Sequence, residues 1–350
     1  MKKLLIAAAA SAAFTGVVHA QTAVTIYGII DSAMRFTTNE DAAGHNKLQL
    51  TDGVFNGSRL GLRGTEDLGG GNQAQFTLES GFSPTMGSSQ QGGRLFGRQA
   101  YVGLGGDYGT VLLGRQYAVA HDMMASLDVL GFPNNAFVAY ESGDFTGLRY
   151  DNTLKYINSF NGLTMEAGHT FGNTPGSFNT GSANAASLAY ESGPLRLGAV
   201  YQVTQDVSSA YFNAVPAAQA SKQSVLGLGG SYLAGPAKLF LAYTHNRLDV
   251  ADYTNNTVSA GVSYQLMPTL KLIGAVHHDW LKHLDTSGKR LTSYAILDYA
   301  FSKRTDVYAE VDYTRLKGAW VALNANSGSG VSTFGFGSRT GAMLGLRHLF

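Results

Sequence analysis

Gly341-Ala-Met-Leu-Gly-Leu-Arg-His-Leu-Phe350 alternates, residue by residue, between two kinds of side chain. Ala342, Leu344 and Leu346 fall on one face of an extended chain, and Gly341, Gly345 and Arg347 on the other. Successive strand residues point to opposite faces, so such a segment separates an apolar surface from a polar one. The same period recurs upstream. In Thr257 to Leu266, Val258, Ala260, Val262, Tyr264 and Leu266 oppose Thr257, Ser259, Gly261, Ser263 and Gln265. In Asp306 to Tyr313, Val307, Ala309, Val311 and Tyr313 oppose Asp306, Tyr308, Glu310 and Asp312. Asn72 to Leu78 reads the same way. Alternation alone also suits a β-sandwich, so strand number and turn spacing have to decide.

Short turn signals stand at Glu66–Gly71, Gly105–Gly109, Phe160-Asn-Gly162, Ser192-Gly-Pro194, Ala234-Gly-Pro236, Met267-Pro268 and Phe301–Arg304. Each carries Gly, Pro, Asn or Asp where a tight reversal needs it, or a short charged break. Most are separated by about 30–40 residues, which fits two strands of roughly 9–11 residues and one longer loop. Seven such turns join fourteen strands. A strand at Val24 to Phe36 and another at Gly341 to Phe350 complete sixteen, an even number that puts both termini on the side of the short turns. The expectation is an all-β chain, a 16-stranded antiparallel transmembrane β-barrel.

The start of the chain agrees. Lys2 and Lys3, the apolar run Leu4 to Val18, and Val18-His-Ala20 read as an export signal over residues 1–20, with the barrel over 21–350. Without Lys2 and Lys3 the chain carries 23 basic against 24 acidic residues, a net charge of −1 that gives no electrostatic case for nucleic acid. Charged residues are only 14%, against roughly 25% in soluble domains, and no run after residue 20 approaches the ~18 apolar residues of a spanning helix. Cysteine is absent, which excludes disulfides and thiolate metal sites. A closed barrel satisfies every backbone group without a continuous apolar run.

One interval is too long, about 55 residues between the second and third turns. The surplus lies between residues 118 and 148, which alternate poorly and include His121-Asp-Met-Met-Ala-Ser-Leu-Asp128. A loop of that length either folds into the lumen and narrows it or stays on the surface.

Several motifs carry a family resemblance. They are Val24-Thr-Ile-Tyr-Gly28, Ser58-Arg-Leu-Gly-Leu-Arg-Gly-Thr-Glu-Asp-Leu-Gly-Gly-Gly71, Leu78-Glu-Ser-Gly-Phe82, Leu95-Phe-Gly-Arg-Gln-Ala-Tyr-Val-Gly-Leu104, Gly109-Thr-Val-Leu-Leu-Gly-Arg-Gln-Tyr117, Phe301-Ser-Lys-Arg-Thr-Asp-Val-Tyr308 and Gly345-Leu-Arg-His-Leu-Phe350. Together they resemble the trimeric general diffusion porins of Gram-negative outer membranes, in particular the β-proteobacterial branch. The resemblance implies a water-filled channel for ions and small hydrophilic solutes, a homotrimer in the outer-membrane bilayer, and a third loop folded into the lumen. It also implies that the terminal Phe350 is read by the barrel-assembly machinery. No cofactor is implied.

In that family, wall arginines face acids of the third loop across the narrowest part of the channel. The wall arginines match Arg59, Arg98 and Arg149, and the loop acids align with Asp122 and Asp128. The Pro-Glu-Phe-Gly-Gly loop tip of the enteric relatives is missing, and Gly131-Phe-Pro-Asn-Asn135 stands there instead. Parity supports the wall assignments: Leu60 and Leu62 oppose Arg59, Arg63 and Thr65, and Arg115 opposes Leu112 and Gly114. Arginine facing lipid at mid-membrane costs about 2–4 kcal/mol, so the lumen is favoured. Arg63 and Arg115 serve equally well as lumen-hydrating groups paired with nearby carboxylates. Three wall arginines against one or two acids predict a weak to moderate anion preference.

Tyr27, Phe76, Tyr101, Tyr156, Tyr264, Tyr299 and Phe350, near strand ends, suit interfacial girdles. Nothing reads as a catalytic set. An outer-membrane barrel enzyme using His121 and Asp122 is the alternative, and it lacks a partnered nucleophile in the sequence. A secreted soluble β adhesin would need neither detergent nor a trimer. His277-His278 on one strand point to opposite faces and cannot chelate one ion together.

Overall fold

The computed structural model describes residues 23–41, 43–134, 148–207, 221–249, 252–321 and 337–350. The signal expected over residues 1–20 lies outside them. The strands are β1 (Ala23–Thr37), β2 (Lys47–Asp52), β3 (Arg59–Gly69), β4 (Asn72–Gly81), β5 (Gln99–Gly106), β6 (Gly109–Tyr117), β7 (Arg149–Phe160) and β8 (Leu163–Thr170). There follow β9 (Ala183–Ser192), β10 (Leu195–Val207), β11 (Ser221–Ala234), β12 (Ala237–Leu248) and β13 (Tyr253–Met267). The last are β14 (Leu270–His283), β15 (Thr286–Ala300), β16 (Thr305–Gly318) and β17 (Ser338–Leu349). One helix, α1 (Val119–Ser126), sits between β6 and β7.

From β3 onward each strand pairs antiparallel with the next in sequence, and β1 closes the sheet by pairing with β17, Ile29 opposite Leu349 through Thr37 opposite Gly341. The N–H groups of Gly28 and Phe350 each donate to the other's carbonyl at 3.1 Å. β2 and β3 both pair with β1, β2 along Ser32–Thr37 and β3 along Ala23–Ile29. They form a single stave interrupted at residues 53–58, so the barrel has sixteen staves among the described residues. The seven short turns fall where the sequence placed them. At the third, Asn161 (φ 49°) and Gly162 (φ 80°) both take left-handed backbone, the pairing that a twisted two-residue hairpin requires.

The faces separate as alternation demands. Leu241, Val258 and Val311 point outward and are exposed. Thr244, Thr257 and Asp312, one residue out of step, line the interior and are buried. The girdle expectation holds for Phe76, Tyr156, Tyr264, Tyr299 and Phe350 and fails for two tyrosines. Tyr27 bonds inward to Glu79 and Tyr101 to Thr77, because both share the parity of the polar row.

Two apolar clusters lie inside the barrel. In one, Val119, Ala120, Met123, Met124 and Leu127 of α1 and its C-terminal turn pack on Ala189, Val200, Val225 and Ala242 of the wall. Gly198 and Gly227 make this approach possible, since a β-carbon at either would collide with the thioether of Met123 or Met124. In the other, Val129 and Leu130 pack on a cluster containing Ile273, Ala275 and Tyr294. The described part of the long interval, residues 118–134, thus runs along the inner wall from β9–β12 toward β14 and β15. It ends at Asn134, whose N–H donates to Val54 O at 2.8 Å and whose Nδ2 donates to Gly53 O at 3.1 Å. Residues 135–147, the remainder of the expected constriction loop, lie outside the described residues.

Candidate functional site: an arginine cluster on the inner wall

Three arginines from different elements converge on one carboxylate and one phenol. Arg59 opens β3, Arg98 precedes β5, and Arg149 opens β7. Arg98 Nε donates to Glu79 Oε1 at 2.7 Å, and Arg59 Nη1 lies 3.9 Å from the same oxygen. Tyr27 completes the carboxylate's shell, donating to Oε2 at 2.9 Å. Tyr117 joins the other two arginines. Its hydroxyl accepts from Arg98 Nη2 at 2.6 Å and from Arg149 Nη2 at 2.7 Å. Gly57 and Gly81 leave the space the Arg98 side chain occupies: a β-carbon at Gly57 would stand 2.9 Å from Arg98 Nη1, and one at Gly81 3.1 Å from its Cδ.

The local sequence explains the convergence. Glu79 alternates with Leu78, so its carboxylate faces the interior as Arg59 does opposite Leu60. Arg59 is held by a bond from Nε to Gly57 O at 2.9 Å, which ties it to the interruption between β2 and β3. That interruption is itself fixed to the wall. Asp31 accepts from the Asn56 N–H at 2.9 Å and from the Tyr308 hydroxyl at 2.7 Å, and Tyr308 in turn accepts the Val54 N–H at 3.0 Å.

The loop acids occupy other positions. Asp122 on α1 pairs with Lys155 of β7 and lies 3.5 Å from His121 Nδ1. Burial works against its ionisation, but His121 and Lys155 outweigh it and hold the carboxyl below the usual range. Burial, with Arg149 and Lys155 nearby, pushes the His121 imidazole down against the pull of Asp122. Its ring stacks on Tyr117 at 4.1 Å, so α1 touches the residue that binds Arg98 and Arg149. Asp128 turns back on its own backbone, Oδ2 accepting from Leu130 N–H at 3.1 Å and Phe132 N–H at 3.0 Å. Burial pushes its carboxyl up to about 6. Neither acid contacts the arginines, so the partner that balances them is Glu79, on the wall.

Arg63 stacks over Tyr27 at 5.2 Å, at the edge of the cluster. Arg115 departs from the expectation. Its ladder with β5 runs without a shift: buried Leu112 faces inward opposite Gly103, and Arg115 comes opposite Ala100, in the row of outward-facing Leu113 and Val102. Its guanidinium bonds to Gly97 O and Asp151, each at 2.7 Å, together with Arg94. Sequence reasoning missed Glu79, Tyr117, Lys155 and Asn134. The Leu78-Glu79 alternation could have revealed the first.

Comparison with known proteins agrees with this architecture. Residues 7–319 match the Gram-negative porin family. The chain is 37% identical over 269 residues to an outer membrane porin protein of Bordetella pertussis, covering 69% of each. It is 32% identical over 371 residues to outer membrane porin protein 32 of Delftia acidovorans, covering 100% of each. Its fold is similar to that of the anion-selective porin from Comamonas acidovorans, with a TM-score of 0.75 and 27% identity over 94% of this chain and 100% of that one. With a closed sixteen-stave barrel, an apolar exterior and a polar interior, this chain belongs to the Gram-negative porin family and is a passive diffusion channel of the outer membrane.

Proposed function

We propose that Arg59, Arg98 and Arg149 form the selectivity region of the channel and give it a weak to moderate preference for small anions. The observation that carries this reading is that three guanidinium groups gather around a single carboxylate, Arg59 and Arg98 on Glu79 and Arg149 joined to Arg98 through the Tyr117 hydroxyl. The net positive charge favours anions wherever facing acids do not cancel it. Asp122 is neutralised by Lys155 and Asp128 is capped by amides, so neither offsets the cluster. The anion selectivity named for the Comamonas acidovorans porin supports the same reading. Residues 118–148 act as the constricting loop. The working form is a homotrimer, inserted by the barrel-assembly machinery after export directed by residues 1–20.

The test is the reversal potential of purified protein in a planar lipid bilayer under a salt gradient. The wild type should favour anions, and Arg59→Glu should move the potential toward cation preference. Cation preference in the wild type overturns the reading. Current steps in groups of three support the trimer.

A further inference from the structure

The inward rows of a porin barrel are generically polar, and one stretch of this one is not. On β12 the inward row holds Lys238 and Phe240, between the short turn at 234–236 and Ala242, where α1 packs on the wall. Phe240 is half-buried and Lys238 exposed, so both border the lumen on the side of the short turns. That side faces the periplasm in such barrels. The Lys238 ammonium lies 5.0 Å from the centroid of the Phe240 ring. A cation–π contact of that kind steadies the lysine without neutralising it.

The register places the neighbours. Phe240 is opposite Gly261 of β13, and Lys238 is opposite Ser263. Gly261 admits the inner loop: a β-carbon there would stand 3.0 Å from Val129 Cβ. Val129 therefore stands beside Phe240, and Leu130 follows it onto the cluster of Ile273 and Ile296. Both loop residues are half-buried and form an aliphatic roof.

A second ammonium group lies under the same roof. Gln265, two residues beyond Ser263, is opposite Lys271 of β14, so Lys238 and Lys271 flank β13 two strands, or about 10 Å, apart. Lys271 faces Asp298 across the next ladder without forming a salt bridge to it. Among the described residues neither lysine pairs with a carboxylate, whereas the inward arginines at this end do, Arg196 with Glu191 and Arg347 with Asp306.

Two ammonium groups without carboxylate partners, beside a ring and an aliphatic roof, suit an anion with a flat apolar body. We propose that this shelf is a binding step for small aromatic carboxylates at the periplasmic end of the lumen. The carboxylate lies between Lys238 and Lys271, and the ring of the solute lies against Phe240 and Val129. An anion without an apolar body meets the lysines alone. The shelf is on the opposite side of the barrel from Arg59, Arg98 and Arg149, so it is a second step on the path and not part of their cluster.

Single-channel current of the detergent-purified full-length protein in a planar bilayer tests this, in potassium chloride at neutral pH, with benzoate or acetate added to either side in turn. Benzoate should interrupt the current at concentrations about tenfold lower than acetate, the ratio provided by burying one ring face, about 60 Å² of apolar surface. Phe240→Ala should bring benzoate to the level of acetate. Lys238→Gln with Lys271→Gln should weaken both anions about tenfold. If the lysine variant does not fold, Phe240→Ala decides. Equal effects of the two anions on the wild type overturn the proposal, and so does no interruption by either. An undiminished benzoate effect in Phe240→Ala also overturns it, as does loss of that effect in Arg59→Glu alone, which would put the anion at the arginine cluster. The reversal potential of the wild type in chloride judges that cluster and benzoate discrimination judges the shelf, so either reading can fail without the other.

Discussion

Arg149 lies over the ring of Tyr117, with its guanidinium carbon 4.2 Å from the ring centroid, while its Nη2 donates to the same residue's hydroxyl. Tyr117 therefore offers Arg149 both a π face and an oxygen, and shares that oxygen with Arg98. The positions of two wall arginines depend on one phenol.

Tyr117→Phe keeps the ring and removes the shared acceptor. Hydrogen bonds to charged groups contribute roughly 1.5–3 kcal/mol each, partly recovered by water in a wet lumen. Arg98 stays on Glu79, and Arg149 loses its fixed position. The anion-to-cation permeability ratio should fall about twofold, of the order expected from loosening one charge. Reversal potentials report it; an unchanged ratio would mean Tyr117 does not position Arg149.

Glu79→Gln acts in the opposite direction on selectivity. It deletes the carboxylate at the centre of the cluster, so anion preference should rise. It also leaves Arg98, buried at 5% exposure, without its charge partner, a loss of about 1–3 kcal/mol. Bilayer recordings and the thermal unfolding midpoint should therefore move together, the first toward anions and the second downward.

Asn134 fastens the inner loop to residues 53–58 by two hydrogen bonds, each contributing about 1 kcal/mol. Asn134→Ala removes the side-chain bond to Gly53 O and keeps the backbone one to Val54 O, so it should loosen this end of the loop while α1 stays packed on the wall. Higher open-channel noise is expected, with selectivity little changed. A quiet channel of unchanged conductance would show that the contact does not restrain the loop.

Asp128 supplies a pH dependence. Its folded carboxyl titrates near 6 and the unfolded one near 3.8, so between these values the folded loop binds the extra proton. Stability of the loop is then greatest below pH ~4 and falls as pH rises through about 6. Protection of the Leu130 and Phe132 amides, measured as exchange relative to the intrinsic base-catalysed rate at each pH, should fall over that range. Asp128→Asn, which keeps an acceptor oxygen without the charge, should abolish the dependence.

The barrel was legible in the sequence because strand alternation and hairpin turns are local properties. The seven turns and most lipid-facing rows follow from them. The interrupted second stave was not, since the Asn56-Gly57 signal within Gly53 to Ser58 reverses no strand, and the break is held by Asp31 and Tyr308 from other strands. Among site residues, Arg59, Arg98 and Arg149 lie together on the inner wall. Asp128 does not join them, because its amide cap depends on the path of the backbone. Tyr117 escaped because it shares its sequence parity with outward-facing Leu113 and reaches the cluster only at the strand end, beyond the register shift between β6 and β7.

The seam between β1 and β17 also bears on how the molecule forms. Every other ladder joins staves adjacent in sequence, and this one joins the two ends of the sheet. Contacts of such large separation are the slowest to form, and until this one exists two strand edges are left open to pair with other chains. Closure at Gly28 and Phe350 is thus the step at which an aggregation-prone sheet becomes an edgeless wall, and substitutions there should tell first on assembly yield and only afterwards on conduction.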